Sequence, residues 1–169
     1  MIFNDLKNMF GVARIRLAGF FKKETAMPLI NFGSVLGFAE ELEKRNATFY
    51  AAVADNPALA EHKNVWDQFL KDARANIKNV QRTRRENITE MILEPIKGFT
   101  RAPFCEDIDP SEAKSETEAL AASRCLEKRA ERYYNEGADK IKALSEVSRA
   151  LKTIGKKHTA HLKILDTLL

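Results

Sequence analysis

Two of the three histidines in this chain stand three residues apart near its C-terminus, His158 and His161 in the run KKHTAHLKIL (156–165). Three residues is slightly less than one helical turn, so on a helix the two imidazoles share a face and can reach one object between them. Imidazole nitrogens beside carboxylate oxygens suit iron, manganese or zinc. Whether that chemistry is available depends on the face the histidines occupy and on which carboxylates share it.

The surrounding pattern puts both of them inside. Leu144, Val147, Leu151, Ile154, His158, His161, Leu165 and Leu168 follow one another at alternating spacings of three and four, the period of a buried helix seam. Two other stretches carry similar seams: Leu36, Ala39, Glu43, Tyr50 and Val53, and Leu120, Glu127, Ala130, Tyr134 and Ile141. Each places a glutamate on an apolar stripe. A buried carboxylate without a partner is costly, so it becomes neutral, pairs with a cation or binds a metal. Two readings stay open. One is a single transition-metal ion held by Glu43, Glu127, His158 and His161; the other is a metal-free network in which protonated histidines pair with the glutamates. In both, Tyr50 and Tyr134 are core residues whose hydroxyls bind a carboxylate.

The elements that must position these residues are helical. The 169-residue chain fits one domain, and its seven glycines and five prolines, with abundant Ala, Glu, Lys, Leu and Arg, predict an all-α protein. Helical patterns run over about 34–54, 63–91, 115–143 and 145–168, read from their apolar periodicity. DNPALAEHK divides the first two, and EPIKGFTRAPFCEDIDPSE, with four of the prolines and glycines that break helices, separates the pairs. The expected architecture is an antiparallel four-helix bundle: hairpins 34–92 and 115–169 joined by a long connection, 93–114. Asp109 and Ser111 are candidate caps for the third helix.

Ahead of this bundle domain (34–169), residues 1–33 predict a basic amphipathic helix with Ile2, Phe3, Leu6, Phe10, Leu17 and Phe21 on one side. Arg14 and Arg16 interrupt its apolar run, which makes it too charged for a transmembrane span. It suits packing on the bundle, a homodimer contact, a protein partner or a membrane surface. The net charge of +4 is interspersed and too small to argue for nucleic acid. Cys105 and Cys125 form no CxxC, so a reducing, cytoplasmic setting is expected and no four-cysteine metal site is present in the sequence. His62 and the QRTRRE run (81–86) read as solvent-facing. There is no Ser/His/Asp triad signature, phosphate-cradling glycine loop or dinucleotide fingerprint.

LEKRNATFYAAVAD from Leu42 and LEKRAERYYNEGAD from Leu126 match at a constant offset of 84, with seven identities in 14 positions. Two copies of one helical hairpin are the simplest account. With its two glutamate-bearing helices and a C-terminal HTAH, the sequence resembles the ferritin-like superfamily, and its rubrerythrin-like members in particular. That family's di-iron design takes one Glu from each of two helices and a Glu-x-x-His from each of the other two. By this resemblance Glu43 and Glu127 are the single-Glu ligands, and His161 is the histidine of the second motif with His158 in place of its glutamate. The first motif falls on ARAN, giving Ala73 for Glu and Asn76 for His, and places Asn76, Tyr50 and Tyr134 around the ligands. The adjacent Asp72 is turned about 100° away on a helix.

The resemblance implies a metal-binding protein with one transition-metal ion inside the bundle, iron first and manganese or zinc as alternatives, and residual peroxide or oxygen redox activity. The alternative is a metal-free structural or interaction module, dimeric or associated with a membrane surface, derived from a ferritin-like protein.

Overall fold

The computed structural model describes residues 27–87, 95–106 and 108–169; of the amphipathic helix expected over 1–33, residues 1–26 lie outside them, residues 27–31 are not helical and residues 32–33 begin the first helix of the bundle. The described residues are all helical apart from connections. Helix α1 spans Phe32–Ala54, α2 Lys63–Glu86, α3 Glu116–Lys140 and α4 Ser145–Leu168. Four helices of 23 to 25 residues therefore make the bundle.

Local chemistry sets their ends. Asn31 and Ser34 form a reciprocal capping box that starts α1 two residues before the expected 34. The Ser115 side chain accepts from Glu118 N, and Glu116 and Glu118 lay negative charge on the first turn of α3. Asp109, a candidate cap for that helix, instead caps a single 3-10 turn at Pro110–Glu112, because Pro110 directly after it is pre-set for a turn start. Arg84 and Arg85 sit in the last turn of α2, where positive charge suits the carbonyl end.

Helix α1 packs chiefly on α2, and α3 on α4; thinner contacts join α1 to α3 and α2 to α4. The interior divides into two apolar halves. One gathers Leu36, Phe38, Ala39, Val80, Tyr133, Val147 and Leu151 with Phe99 and Phe104 from the connection. The other gathers Phe49, Val53, Leu59, Trp66, Phe69, Leu120, Leu126 and Leu165. Each fully buried large side chain contributes about 1.5–3 kcal/mol through the area it withdraws from water. Tyr133 also donates to the Val35 carbonyl at 2.6 Å, tying α3 to α1.

The long connection is held down rather than free. Leu29 N donates to Phe99 O at 2.9 Å and Ile96 N to Ile30 O at 2.8 Å, and Pro28 and Thr100 form an isolated bridge. Gly98 takes φ 67°, which a side chain would strain, at the bend between these contacts. Among the described residues no helix is long and apolar enough to cross a membrane.

Candidate metal centre

Between the two apolar halves lies a layer of buried polar side chains: Glu43 from α1, Asn76 from α2, Glu127 from α3, and His158 and His161 from α4. The seams expected from the sequence are buried as far as Leu165, while Leu168 at the helix end is exposed, since the neighbouring helices no longer cover it. Paired positions of the matching segments share their burial: Leu42 and Leu126, Glu43 and Glu127, Tyr50 and Tyr134, Ala54 and Ala138.

Glu127 is the hub. Its Oε2 lies 2.6 Å from His158 Nδ1 and 3.0 Å from His161 Nδ1, while its Oε1 accepts from the Tyr50 hydroxyl. The opposite ring nitrogens point elsewhere: His158 Nε2 is 2.9 Å from Glu43 Oε1, and His161 Nε2 is 3.1 Å from Asp72 Oδ2. Asn76 Nδ2 approaches Glu43 Oε2 at 3.4 Å, and Lys157 Nζ approaches Asn76 Oδ1 at 3.3 Å. Aromatic rings enclose the layer. Phe69 stacks on His161 at 3.9 Å and Tyr134 on His158 at 5.4 Å.

The electrostatics follow from burial and these contacts. Burial would push the Glu127 carboxyl up, but the charge and hydrogen bond of His158, then those of His161, hold it down at about 2. Burial would lower His158, yet Glu127 and then Glu43 raise it to about 10. Burial and the nearby carboxylates push the Tyr50 and Tyr134 hydroxyls well above the usual range, so both stay protonated. Asp72 is held low against its burial by hydrogen bonds from Gln68 and His161.

The sequence-predicted residues Glu43, Glu127, His158 and His161 thus meet, with Tyr50 and Asn76 in contact with the two glutamates. Tyr134 is different: it stacks on His158, and its hydroxyl lies near enough to Glu43 to feel that carboxylate but makes no hydrogen bond of ordinary geometry among the described residues. Asp72 corrects the sequence reading that turns it away. Ala73, at the buried position beside it, has no functional group, whereas Asp72 reaches His161 from the edge of α2, fixed by Gln68 Nε2 at 2.8 Å. Gln68, Asp72 and Asn76 recur every four residues, a polar stripe on α2 that signals a second line of contact beside the apolar seam. His62 is half-buried, its ring 6.3 Å from Trp66, rather than solvent-facing. Cys125 is exposed. Arg82 and Arg149 line an open groove of about 240 Å³ together with Glu86 and Glu146, so its charges are mixed rather than basic.

One carboxylate and two imidazoles, Glu127, His158 and His161, offer ligand atoms all within 4.8 Å of one another. Fold and site together define an all-helical bundle with a buried carboxylate–histidine centre. No protein-family model, curated protein or solved structure matches the chain.

Proposed function

We propose that this chain is a ferritin-like, rubrerythrin-like protein that binds one transition-metal ion inside an antiparallel bundle built from a duplicated helical hairpin. The observation that carries the reading is the convergence of Glu127 Oε2 with Nδ1 of both His158 and His161, a two-histidine, one-carboxylate donor set. Glu43 and Asp72, on the outer ring nitrogens, have the place of the carboxylates that orient metal-bound histidines and fix their tautomer. This revises the expected ligand set, since Glu43 faces a histidine rather than the shared centre.

The charges fit. With both imidazoles doubly protonated, they and Lys157 balance Glu43, Glu127 and Asp72; with both neutral, one divalent cation supplies the same charge. Ligand atoms on bonds near 2.1 Å stand roughly 3.0–3.4 Å apart, so an ion needs the Glu127–histidine contacts, 2.6 and 3.0 Å, to open by less than about 1 Å. Buried polar atoms that no described residue satisfies, both amide atoms of Asn46 three residues after Glu43 and the Tyr134 hydroxyl, also favour a non-protein ligand in this layer. A second, bridged metal does not fit, because Ala73 and His158 stand where bridging glutamates belong. Iron is preferred over manganese or zinc. A bound ferrous ion would supply one-electron chemistry towards peroxide or oxygen. The chain's own residues hold the ligands in register, exclude bulk water with Phe69, Tyr50 and Tyr134, and keep a proton on the Tyr50 hydroxyl.

One observation favours a second reading. Each imidazole nitrogen lies 2.6–3.1 Å from a carboxylate oxygen, so protons alone can close the network. In that case the bundle is a metal-free interaction module, dimeric or bound to a membrane surface or protein through residues 1–26, as the sequence pattern of that segment suggests.

Metal analysis of untagged protein, before and after anaerobic reconstitution with Fe²⁺, separates the two. About one equivalent supports the centre, and less than roughly 0.1 equivalent after reconstitution refutes it. Vesicle binding by the full chain and by a chain starting at Asn31 tests the second reading; equal binding by both counts against the membrane version.

A further inference from the structure

Exposure rises in one direction across the centre. Glu43, Glu127 and His158 are no more than 2 % exposed, the His161 side chain is 7 % exposed and Asp72 is 24 % exposed. Aromatic rings lie against the histidines themselves: Phe69 covers His161, Tyr134 covers His158, and Tyr50 packs edge-on to Phe69 at 5.4 Å. The seam between α2 and α4 carries a line of polar side chains on the side where exposure rises, with Asp72 and Asn76 opposite His161 and Lys157 and Gln68 bonded to Asp72.

We propose that Asp72 is the doorway of the centre: a divalent cation from solvent is captured there and handed across His161 to Glu127, with Lys157 opposing capture by its charge. This deepens the metal reading and rests on it. The argument is geometric and electrostatic. A desolvated cation cannot pass a wall of aromatic rings, whereas a partly exposed carboxylate one imidazole away from the hub offers a first ligand at the surface and a short second step. Gln68, bonded to Asp72 at 2.8 Å, aims that carboxylate at the ring. Lys157 is close enough to lower the Asp72 carboxyl, and its Nζ also reaches Asn76.

A residue on the route changes how fast ions enter, whatever else it does to the bound state. A residue that only orients His161 changes affinity, mostly through release. Stopped-flow uptake and chelator-driven release of Co²⁺ by the full chain, followed by its visible absorption, tell these apart. Asp72→Asn, close in shape but uncharged, should slow uptake by about tenfold or more, the low end of what a focused charge contributes to capture, whatever the loss of its bond to His161 does to release. Lys157→Gln should speed uptake several-fold, and Asp72→Glu should restore it. Thermal unfolding by circular dichroism verifies that each variant is folded. Uptake by Asp72→Asn at the rate of the unmodified chain, or a loss found in release alone, overturns the doorway while leaving the metal centre standing. Failure of the unmodified chain to take up Co²⁺ overturns both.

Discussion

Glu127→Gln in metal-free protein is the perturbation with the largest expected consequence. The carboxylate is 1 % exposed, accepts from Tyr50, and lies against Nδ1 of both histidines at 2.6 and 3.0 Å. Glutamine keeps the volume, replaces one acceptor oxygen with a donor and removes the negative charge from between the two imidazole rings. Deleting one partner of a buried ion pair costs about 3–5 kcal/mol. In a domain of this size that lowers Tm by roughly 6–20 °C.

The pH profile should change as well. Burial opposes ionisation of His158, but Glu127 and Glu43 raise its folded-state pKa to about 10. The unfolded value is near 6.5, so the stabilisation from His158 is complete below about pH 6.5 and is lost as pH rises towards 10. Glu127 is held at about 2, so its contribution is present above about pH 4.5 and is lost as pH falls towards 2. Urea unfolding in EDTA, followed by far-ultraviolet circular dichroism from acid to alkaline pH, should show both limbs in the unmodified chain. In Glu127→Gln the acid limb from this carboxylate disappears. The alkaline limb shrinks, because only Glu43 then holds the proton on His158. A loss below about 1 kcal/mol near neutral pH, or an alkaline slope equal to that of the unmodified chain, refutes a charged network at the centre.

Three further outcomes are expected. His158→Ala with His161→Ala should abolish Co²⁺ and Fe²⁺ binding in equilibrium dialysis, and retained stoichiometric binding would disprove this ligand set. Tyr50→Phe removes the donor to Glu127 and should cost about 1–3 kcal/mol in urea unfolding, whereas Tyr134→Phe, whose hydroxyl lacks a partner among the described residues, should be neutral or slightly stabilising; equal costs would contradict the geometry. Trp66→Ala empties a fully buried site, loses the bond from Nε1 to Leu59 O, and should cost about 3–5 kcal/mol, read from the shift in urea midpoint.

Much of the bundle is legible in the sequence because helices advertise themselves locally. The spacing from Leu144 to Leu165 is enough to turn both histidines inward, and Glu43 and Glu127 stand out as charges on otherwise apolar stripes. Caps are less legible: Ser115 rather than Asp109 or Ser111 caps α3, because the chain makes a separate 3-10 turn at Pro110–Glu112 before that helix starts. The anchoring of residues 28–30 on residues 96–100 has no periodic signal at all.

Which side chains share the buried central layer is thus written into each helix separately, because burial on a helix follows from a repeat of three and four residues and needs no knowledge of the neighbours. What each of them touches is settled by how the helices are set against one another. Glu127 rather than Glu43 is the hub, and Asp72 joins from the helix edge, because these contacts depend on the rotation and offset of α2 and α3 against α4. A shift of one residue in α2 turns a side chain by about 100°, and the residue pattern of one helix contains no term for how the next is placed beside it.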